Sequence, residues 1–492
     1  MFGIKNSFDY NSIIKKSNKY KNLENKQLII IGAGPGGYAA AFLAADLGLK
    51  VTLIDNENNP GGVCLYRGCI PSKALLHVAK VISETDEAKK FGVEYSKPKI
   101  DLNKMRSWKE EVVSKLTSGL GQISKLRKIE YIKGSAKFLN DNSIEITKEN
   151  NTKETIYFEN IIIAAGSHPA KIPSLSIDSS RVLDSTSALD IEDIPKSLLV
   201  IGGGYIGLEL GTVYATLGTK VTIAEMLPGI LNGADADLVA VLQKRVKSLF
   251  ESILVETKVI SLEEVKAGIK VILEDNKSER TEKIFDKVLI SVGRKPNSGN
   301  LGLENTKVET DEKGFIKVDN QLRTSVKNIF AIGDIAGEPM LAHKASHEGR
   351  VAAEVIAGHK TAFEPKAIPA VVFTDPEIAW CGLTENEAKE KNIEISVAKF
   401  PWAASGRAMT IGRTDGLTKL ILDPKKERIL GMGIAGPGAG DLISEGVLAV
   451  EMGANATDIK LSIHPHPTLS ETIMEAAEVF FGQSTHMYKP KK

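Results

Sequence analysis

The run Leu28-Ile29-Ile30-Ile31 is apolar at every position and stops at Gly32, which is the pattern of a parallel strand buried on both faces. Equivalent runs recur at Ile161-Ile162-Ile163, Leu198-Leu199-Val200-Ile201, Val288-Leu289-Ile290 and Ile329-Phe330-Ala331-Ile332, each followed within a few residues by glycine. Between them the apolar spacing becomes helical, as at residues 238–250 and 345–356. Strands alternating with helices predict an α/β layered fold. After about residue 360 the texture changes. Residues 416–422 read as a strand and 440–452 and 468–481 as helices, so a separate α+β domain is expected beyond Gly358-His359-Lys360.

The first half contains an internal repeat. Leu47-Gly48-Leu49-Lys50-Val51-Thr52-Leu53-Ile54-Asp55 matches Leu217-Gly218-Thr219-Lys220-Val221-Thr222-Ile223-Ala224-Glu225 at an offset of 170 residues. The turns Gly32-Ala33-Gly34-Pro35-Gly36-Gly37 and Gly202-Gly203-Gly204-Tyr205-Ile206-Gly207 share that offset. In such a turn the first glycine (Gly32, Gly202) allows the tight bend. The second (Gly34, Gly204) lets backbone approach a pyrophosphate, and the last (Gly37, Gly207) allows close helix–strand packing. The anion then lies at a helix N-terminus. Asp55 and Glu225 each end the following strand, 23 residues after the first glycine, where a carboxylate can accept from a ribose hydroxyl. Glu225 would repel a 2′-phosphate, so the second site is expected to prefer NAD over NADP. Two Gly-rich turns with a purely structural role are the plain alternative.

Composition mainly excludes. In 492 residues, 63 basic side chains face 62 acidic ones, a formal charge of +1, which argues against a nucleic-acid binder. No apolar run reaches the length of a membrane span. Residues 1–26 carry six Lys, five Asn, two acids and no Arg, and read as a disordered or loosely docked polar tail. A secretory signal is not expected, and a mitochondrial presequence is a weak alternative, since such segments favour Arg.

Only three cysteines occur, too few for a disulfide framework. Two lie five positions apart in Gly61-Gly62-Val63-Cys64-Leu65-Tyr66-Arg67-Gly68-Cys69-Ile70-Pro71-Ser72-Lys73. On an ideal helix that spacing separates the Cα atoms by about 8.7 Å, whereas a disulfide needs less than about 7 Å. A Cys64–Cys69 bridge therefore requires an irregular turn, for which Gly61, Gly62 and Gly68 supply freedom, and a strained bridge suits redox chemistry. Two buried free thiols remain the plain alternative. A zinc site fits poorly, since no second Cys or His pair lies at ligand spacing, and no metal is expected. Cys381 reads as an inert packed thiol. The segment His464-Pro465-His466-Pro467-Thr468-Leu469-Ser470-Glu471 is the other dense signal. An imidazole can generate a thiolate near neutral pH, and a carboxylate on its second nitrogen would orient it. Thr468 and Glu471 equally fit a helix-capping box, and His464 reads as a packed histidine.

The block from Gly61 to Lys73 resembles the redox-active signature of the pyridine nucleotide-disulfide oxidoreductases, and the resemblance runs from about Gln27 to beyond Phe481. It implies two Rossmann-like domains and a C-terminal α+β dimerisation domain. The implied bounds are an FAD-binding domain at 27–158, an NAD-binding domain at 159–286, a central segment at 287–358 completing the FAD site, and an interface domain at 359–492. It also implies that Cys69 faces the flavin while Cys64 exchanges with substrate, and that Lys73 lies near the flavin ring. Asp334, in Ile329 to Asp334, would bind the ribityl chain or pyrophosphate, Ala342 the ring side, and Ala136 the adenine half. Gly202, Gly203, Gly204, Tyr205, Ile206, Glu225, Val259 and Gly293 match NAD contacts. Tyr205 is similar to the gating Tyr of glutathione reductases. His466 is implied as the base and Glu471 as its partner, acting on the disulfide of the second subunit of a homodimer.

The neighbours of these motifs narrow the resemblance to family members that oxidise protein-bound dihydrolipoamide with NAD+ in 2-oxoacid dehydrogenase complexes, with glycine cleavage complexes a further setting. The implied partner is then a lipoyl-bearing acyltransferase on another chain, since no lipoyl-type domain is expected before Gln27. A cytoplasmic location is expected, with the mitochondrial matrix as the alternative. Two departures stand out: Tyr66-Arg67, where small or apolar residues are usual, and Ala164-Ala165-Gly166 in place of Ala-Thr-Gly. An NADPH-linked reductase and a non-enzymatic flavoprotein are the rival expectations. Glu225 speaks against the first, and the joint presence of His466 and both thiols against the second.

Overall fold

A computed structural model describes residues 27–488. The expected polar tail at 1–26 lies outside the described residues. The chain divides into two compact units. One holds the residues up to Ile70 together with Glu111–His168 and Arg294–Glu364; the other holds Pro71–Glu110, Pro169–Gly293 and Pro365 onward.

The first unit is built on a seven-stranded sheet in the order Ile329–Ala331, Asn160–Ile163, Gln27–Ile31, Lys50–Asp55, Glu130–Asn140, Ser143–Lys148 and Lys153–Tyr157. The first five strands run parallel and the last two pair antiparallel. The unbroken apolar run at its centre has a direct cause. Leu28 and Ile30 pack with Ala40, Ala41 and Ala44 of the helix Pro35–Asp46 and with Ala352 and Ala353 of the helix Ala342–Ile356. Ile29 and Ile31 point the other way, into a cluster with Phe138, Ile144 and Ile161. The two helices approach so closely that a Cβ at Gly349 would lie 2.4 Å from the Gly36 carbonyl oxygen.

The second unit repeats the plan in a five-stranded parallel sheet: Ser252–Leu254, Lys220–Ala224, Ser197–Ile201, Lys287–Ile290 and Val182–Leu183. The repeat holds at the level of single hydrogen bonds. Gly32 N–H donates to the Ile54 carbonyl and Gly202 N–H to that of Ala224, each at 2.8 Å. An antiparallel trio, Lys258–Val265, Gly268–Glu274 and Arg280–Phe285, follows in the same unit.

Beyond residue 365 the chain forms a five-stranded antiparallel sheet in the order Ala370–Val372, Ile378–Gly382, Ile429–Ala435, Leu417–Leu422 and Ser396–Pro401. The helices Ala439–Met452 and Glu471–Phe480 share its apolar core.

The strands Asn160–Ile163 and Lys287–Ile290, just beyond the expected breaks at 158/159 and 286/287, pair with Gln27–Ile31 and Ser197–Ile201 respectively. A parallel sheet recruits strands by hydrogen bonding rather than by chain order, so each repeated unit takes in a strand that follows an antiparallel excursion. The last helix starts at Glu471 instead of Thr468, because the Thr468 hydroxyl donates to the Pro465 carbonyl oxygen rather than capping a helix.

Candidate functional site

The two Gly-rich turns divide their glycines by job. Gly32 and Gly202 adopt φ of +97° and +104°, where a side chain would be strained. A Cβ at Gly37 would sit 1.9 Å from the Gly32 carbonyl oxygen, and one at Gly207 2.3 Å from that of Gly202. Gly34 and Gly204 are different. A Cβ at Gly34 would meet only the Gly62 Cα, at 3.9 Å, and one at Gly204 nothing within 4 Å. The second glycine of each turn thus leaves open a space that a methyl group would fill. It stands at the N-cap of a 12-residue helix, Pro35–Asp46 or Tyr205–Thr216, with no side-chain cap. An uncapped N-terminus facing open space is the geometry a pyrophosphate needs, so these residues fit a dinucleotide in each unit.

The strand-ending acids brace the turns. Asp55 accepts the N–H groups of Ala33 at 2.6 Å and Glu57 at 2.9 Å. Buried Glu225 accepts those of Gly203 at 2.7 Å and Leu227 at 2.8 Å. Burial pushes the Asp55 carboxyl up, against the pull of its two N–H donors. Val259 lies in one apolar cluster with Ile201 and Ala224, at the ends of the strands that carry the second turn and Glu225. Gly293, at φ +110°, follows Ser291, whose hydroxyl donates to the Ile201 carbonyl oxygen at 3.0 Å. Tyr205 is 40% exposed at the mouth of the same turn, and Ile206 is the next residue along its helix.

In the first unit the cysteine block is seated directly on the first Gly-rich turn. Gly61 N–H donates to the Ala33 carbonyl at 2.8 Å, and a Cβ at Gly62 would lie 2.5 Å from the Gly34 Cα. Cys64 sits in the short helix Gly62–Arg67; Gly68, at φ −147° and ψ −114°, breaks it, and a second helix, Cys69–Glu87, starts at once. The expected irregular turn is therefore present. Gly68 passes so close to the Val63 carbonyl that a Cβ would approach its oxygen to 2.9 Å. Cys64 is half-buried and Cys69 exposed. Burial, helped by nearby Cys64 and Cys69, pushes the Tyr38 hydroxyl up. Cys381 is 1% exposed, and burial drives its thiol up to about 12, which suits an inert thiol.

Arg67 pairs with Glu57 and Tyr66 donates to the Asn59 carbonyl, so the two unusual residues tie the cysteine helix to the loop after Asp55. Asp334 accepts from the Ser167 hydroxyl, which in turn accepts from Arg294 Nε at 2.7 Å. Ala342 opens the helix Ala342–Ile356, where Glu348 accepts the Gly333 N–H at 2.6 Å and pairs with buried Lys344 at 2.7 Å. Ala136 is buried on the strand Glu130–Asn140 opposite Ile146.

In the second unit Lys73 Nζ lies 2.8 Å from the Glu209 carboxylate and 4.6 Å from the Phe373 ring centroid, while Phe373 N–H donates to Glu209 at 2.9 Å. His466 Nδ1 is 2.9 Å from Glu471 Oε1, and Glu471 Oε2 accepts the Thr468 N–H at 2.8 Å. One carboxylate therefore performs both of the roles open to it, orienting the imidazole and satisfying a backbone donor at the helix start. Although burial pushes Glu471 up, the Thr468 N–H and the His466 imidazole hold it below the ordinary carboxylate range. The His466 side chain is 73% exposed, leaving its Nε2 toward solvent. His464 is packed as expected, between the Ser462 carbonyl at 2.9 Å and Glu445 at 2.8 Å.

Several of these partners escaped the sequence: Glu209, Phe373, Tyr38, Ser167, Arg294, Glu348 and Glu445. Only the placement of a buried acid, Glu209, four residues after Tyr205 on a helix otherwise apolar could have hinted at one of them. Among the described residues Asp235, Asp237 and Glu385 could surround a cation, and the Lys419 ammonium already lies 2.6, 2.8 and 2.7 Å from them. No helix among the described residues is long and apolar enough to cross a membrane.

The family model for pyridine nucleotide-disulphide oxidoreductases matches residues 26–349, and the model for the dimerisation domain of the same family matches 368–477. The chain belongs to this family. Among its relatives, a dihydrolipoyl dehydrogenase of Vibrio cholerae is 49% identical over 465 residues, covering 94% of this chain and 98% of the relative. One from Geobacillus stearothermophilus is 47% identical, covering 94% and 97%. Among solved structures, the HOCl-induced flavoprotein disulfide reductase RclA from Escherichia coli, in its Cu(II) complex, aligns at a TM-score of 0.82 with 29% identity, covering 93% of this chain and 99% of that one.

Proposed function

We propose that this chain oxidises protein-bound dihydrolipoamide to lipoamide while reducing NAD+ to NADH, with FAD as its bound cofactor. The observation that carries the reading is the seating of the Cys64 helix on the Gly34 turn, which puts a thiol pair beside a dinucleotide cradle. The naming of relatives at 47% and 49% identity supports the substrate.

Gly32, Gly34, Gly37, Asp55, Ala136, Asp334, Ala342 and Lys73 would hold FAD, which when bound supplies a two-electron relay between a thiolate and NAD+. The second turn, with Glu225, Val259 and Gly293, would hold NAD+. The structure holds Cys64 and Cys69 as thiols; chemistry at the protein begins from their oxidised form, when one substrate thiolate attacks Cys64 Sγ, breaking the Cys64–Cys69 disulfide, forming a mixed disulfide and releasing Cys69 as thiolate. His466 Nε2 takes the substrate proton, and Glu471 on Nδ1 stabilises the imidazolium. The second substrate sulfur then attacks the mixed disulfide, closing lipoamide and freeing Cys64. The reduced pair of thiols then holds the two electrons that must reach NAD+ before the disulfide re-forms. The balance is dithiol plus NAD+ giving disulfide, NADH and one proton.

His466 would act on the disulfide of a second copy in a homodimer. Within or next to the matched dimerisation segment, Leu448, Met452, Leu461 and Ile463 are 62%, 76%, 73% and 97% exposed, the kind of apolar surface a second subunit covers. The lipoyl carrier would be an acyltransferase component of a 2-oxoacid dehydrogenase complex, in the cytoplasm of a bacterium.

The test is steady-state turnover of dihydrolipoamide against NAD+ by FAD-loaded protein. Cys69→Ser is expected to lower it by about 1,000-fold or more. Turnover retained in Cys69→Ser overturns the thiol route, and equal use of NADP+ overturns the role of Glu225.

A further inference from the structure

We propose that His486, held by Glu475, is a positioning residue for the His466–Glu471 pair, a second imidazole–carboxylate couple one helical turn away that sets the pH at which His466 takes up its proton. The inference rests on the reading of His466 as the base.

Glu471 and Glu475 stand four residues apart on the helix Glu471–Phe480, so their Cβ atoms are neighbours on one face, about 5–6 Å apart. Glu471 holds His466 Nδ1; Glu475 holds His486 Nδ1 and accepts the Ser484 hydroxyl at 2.7 Å. The helix end is shaped to bring His486 back. Gly482, at φ +66°, sends its N–H to the Val479 carbonyl and Gln483 its own to that of Glu478, each at 3.0 Å, which is a Schellman stop. Thr485 N–H then donates to the Glu478 carboxylate at 3.3 Å. In the single chain both imidazoles are exposed, at 73% and 55%, whereas their carboxylates are shielded, at 20% and 5%.

Charge explains what the second pair does. An uncompensated Glu475 anion beside Glu471 would favour the His466 imidazolium and hold the base in its inactive, protonated form to higher pH. A protonated His486 cancels that anion. The hydrogen bond that His486 donates to the Glu475 carboxylate raises His486 above the ordinary imidazole value, so its charge persists where a free histidine would lose it. Among the described residues, the other charges on the elements packed against the helix are engaged elsewhere, Asp458 by the Asn455 N–H. Glu445 holds His464, Lys460 donates to Gln483, and Glu478 takes the Thr485 N–H. Lys399 and Lys419, from the strands that pack under the helix, are committed to Asp235, Asp237 and Glu385.

The experiment is the pH profile of kcat/KM for dihydrolipoamide with the FAD-loaded enzyme at low salt, read beside the urea midpoint of each variant. His486→Gln is expected to move the acid limb upward by about half a pH unit with the plateau retained, while the urea midpoint falls because buried Glu475 loses its charged partner. His486→Lys, which keeps the charge, leaves the limb in place, and added salt shrinks the difference. The proposal is overturned if His486→Gln leaves the limb where it was, or if His486→Lys shifts it equally. His466→Gln separates the two readings. If it loses turnover while His486→Gln shifts nothing, only the positioning role falls; if it keeps turnover, the base assignment falls and this inference with it.

Discussion

The turns at Gly32 and Gly202 share a skeleton to the individual hydrogen bond, and they differ in what is laid against them. Each has a positive-φ first glycine, a last glycine locked against the first, and a strand-ending acid that accepts the N–H of the second residue. On the first turn, Gly61 and Gly62 press the cysteine helix against Ala33 and Gly34. The second turn has no such cover at Gly204, and half-exposed Tyr205 stands beside it. One duplicated device has thus been given two uses. On the proposed function, the covered copy keeps its dinucleotide against a redox pair, and the open copy lets a diffusible one come and go.

The largest test of the shared skeleton is Gly37→Ala beside Gly207→Ala. Each places a Cβ inside contact distance of a backbone oxygen, so each should lower unfolding stability by about 3 kcal/mol or more. Tolerance of one and not the other breaks the equivalence. The divergence in use is sharpened by the middle glycines, where a methyl fits the protein and blocks only the ligand. Gly204→Ala should raise KM for NAD+ by about tenfold with FAD retained, whereas Gly34→Ala should lose FAD on gel filtration with the fold intact by circular dichroism. A smaller effect separates the acids. Because burial raises Asp55, its ionised form costs stability above its folded-state pKa, and that cost fades as pH falls. Urea midpoints should therefore show wild type gaining on Asp55→Asn between pH 7 and pH 4, and a gap that narrows instead would contradict the raised carboxyl.

Much of this was legible in the chain because it depends on local backbone chemistry. Glycine spacing after an apolar run, an acid 23 residues on and a Gly-flanked pair of cysteines all report on neighbours a few residues away. The Lys73–Glu209 pair was not legible, since its partners are 136 residues apart and each reads as an ordinary helical charge. The Arg294–Ser167–Asp334 relay was hidden for the same reason. At Thr468-Leu469-Ser470-Glu471 the pattern allowed a capping box or a base partner. It could not show that the Thr468 hydroxyl would turn to Pro465 and leave Glu471 with both the backbone N–H and the imidazole.

By itself the sequence determined the α/β class, the duplicated turn with its glycines, the irregular cysteine turn and the packed state of His464, because strand burial and positive-φ turns are written in residue type and spacing. Only the tertiary structure decided which strand closes each sheet, which buried acid meets Lys73, and that a chain end returns His486 to the face of the helix that carries Glu471. Those outcomes depend on hydrogen bonds and charge pairs formed across folded distance, where any of many compatible residues could have served, and spacing along the chain does not choose among them.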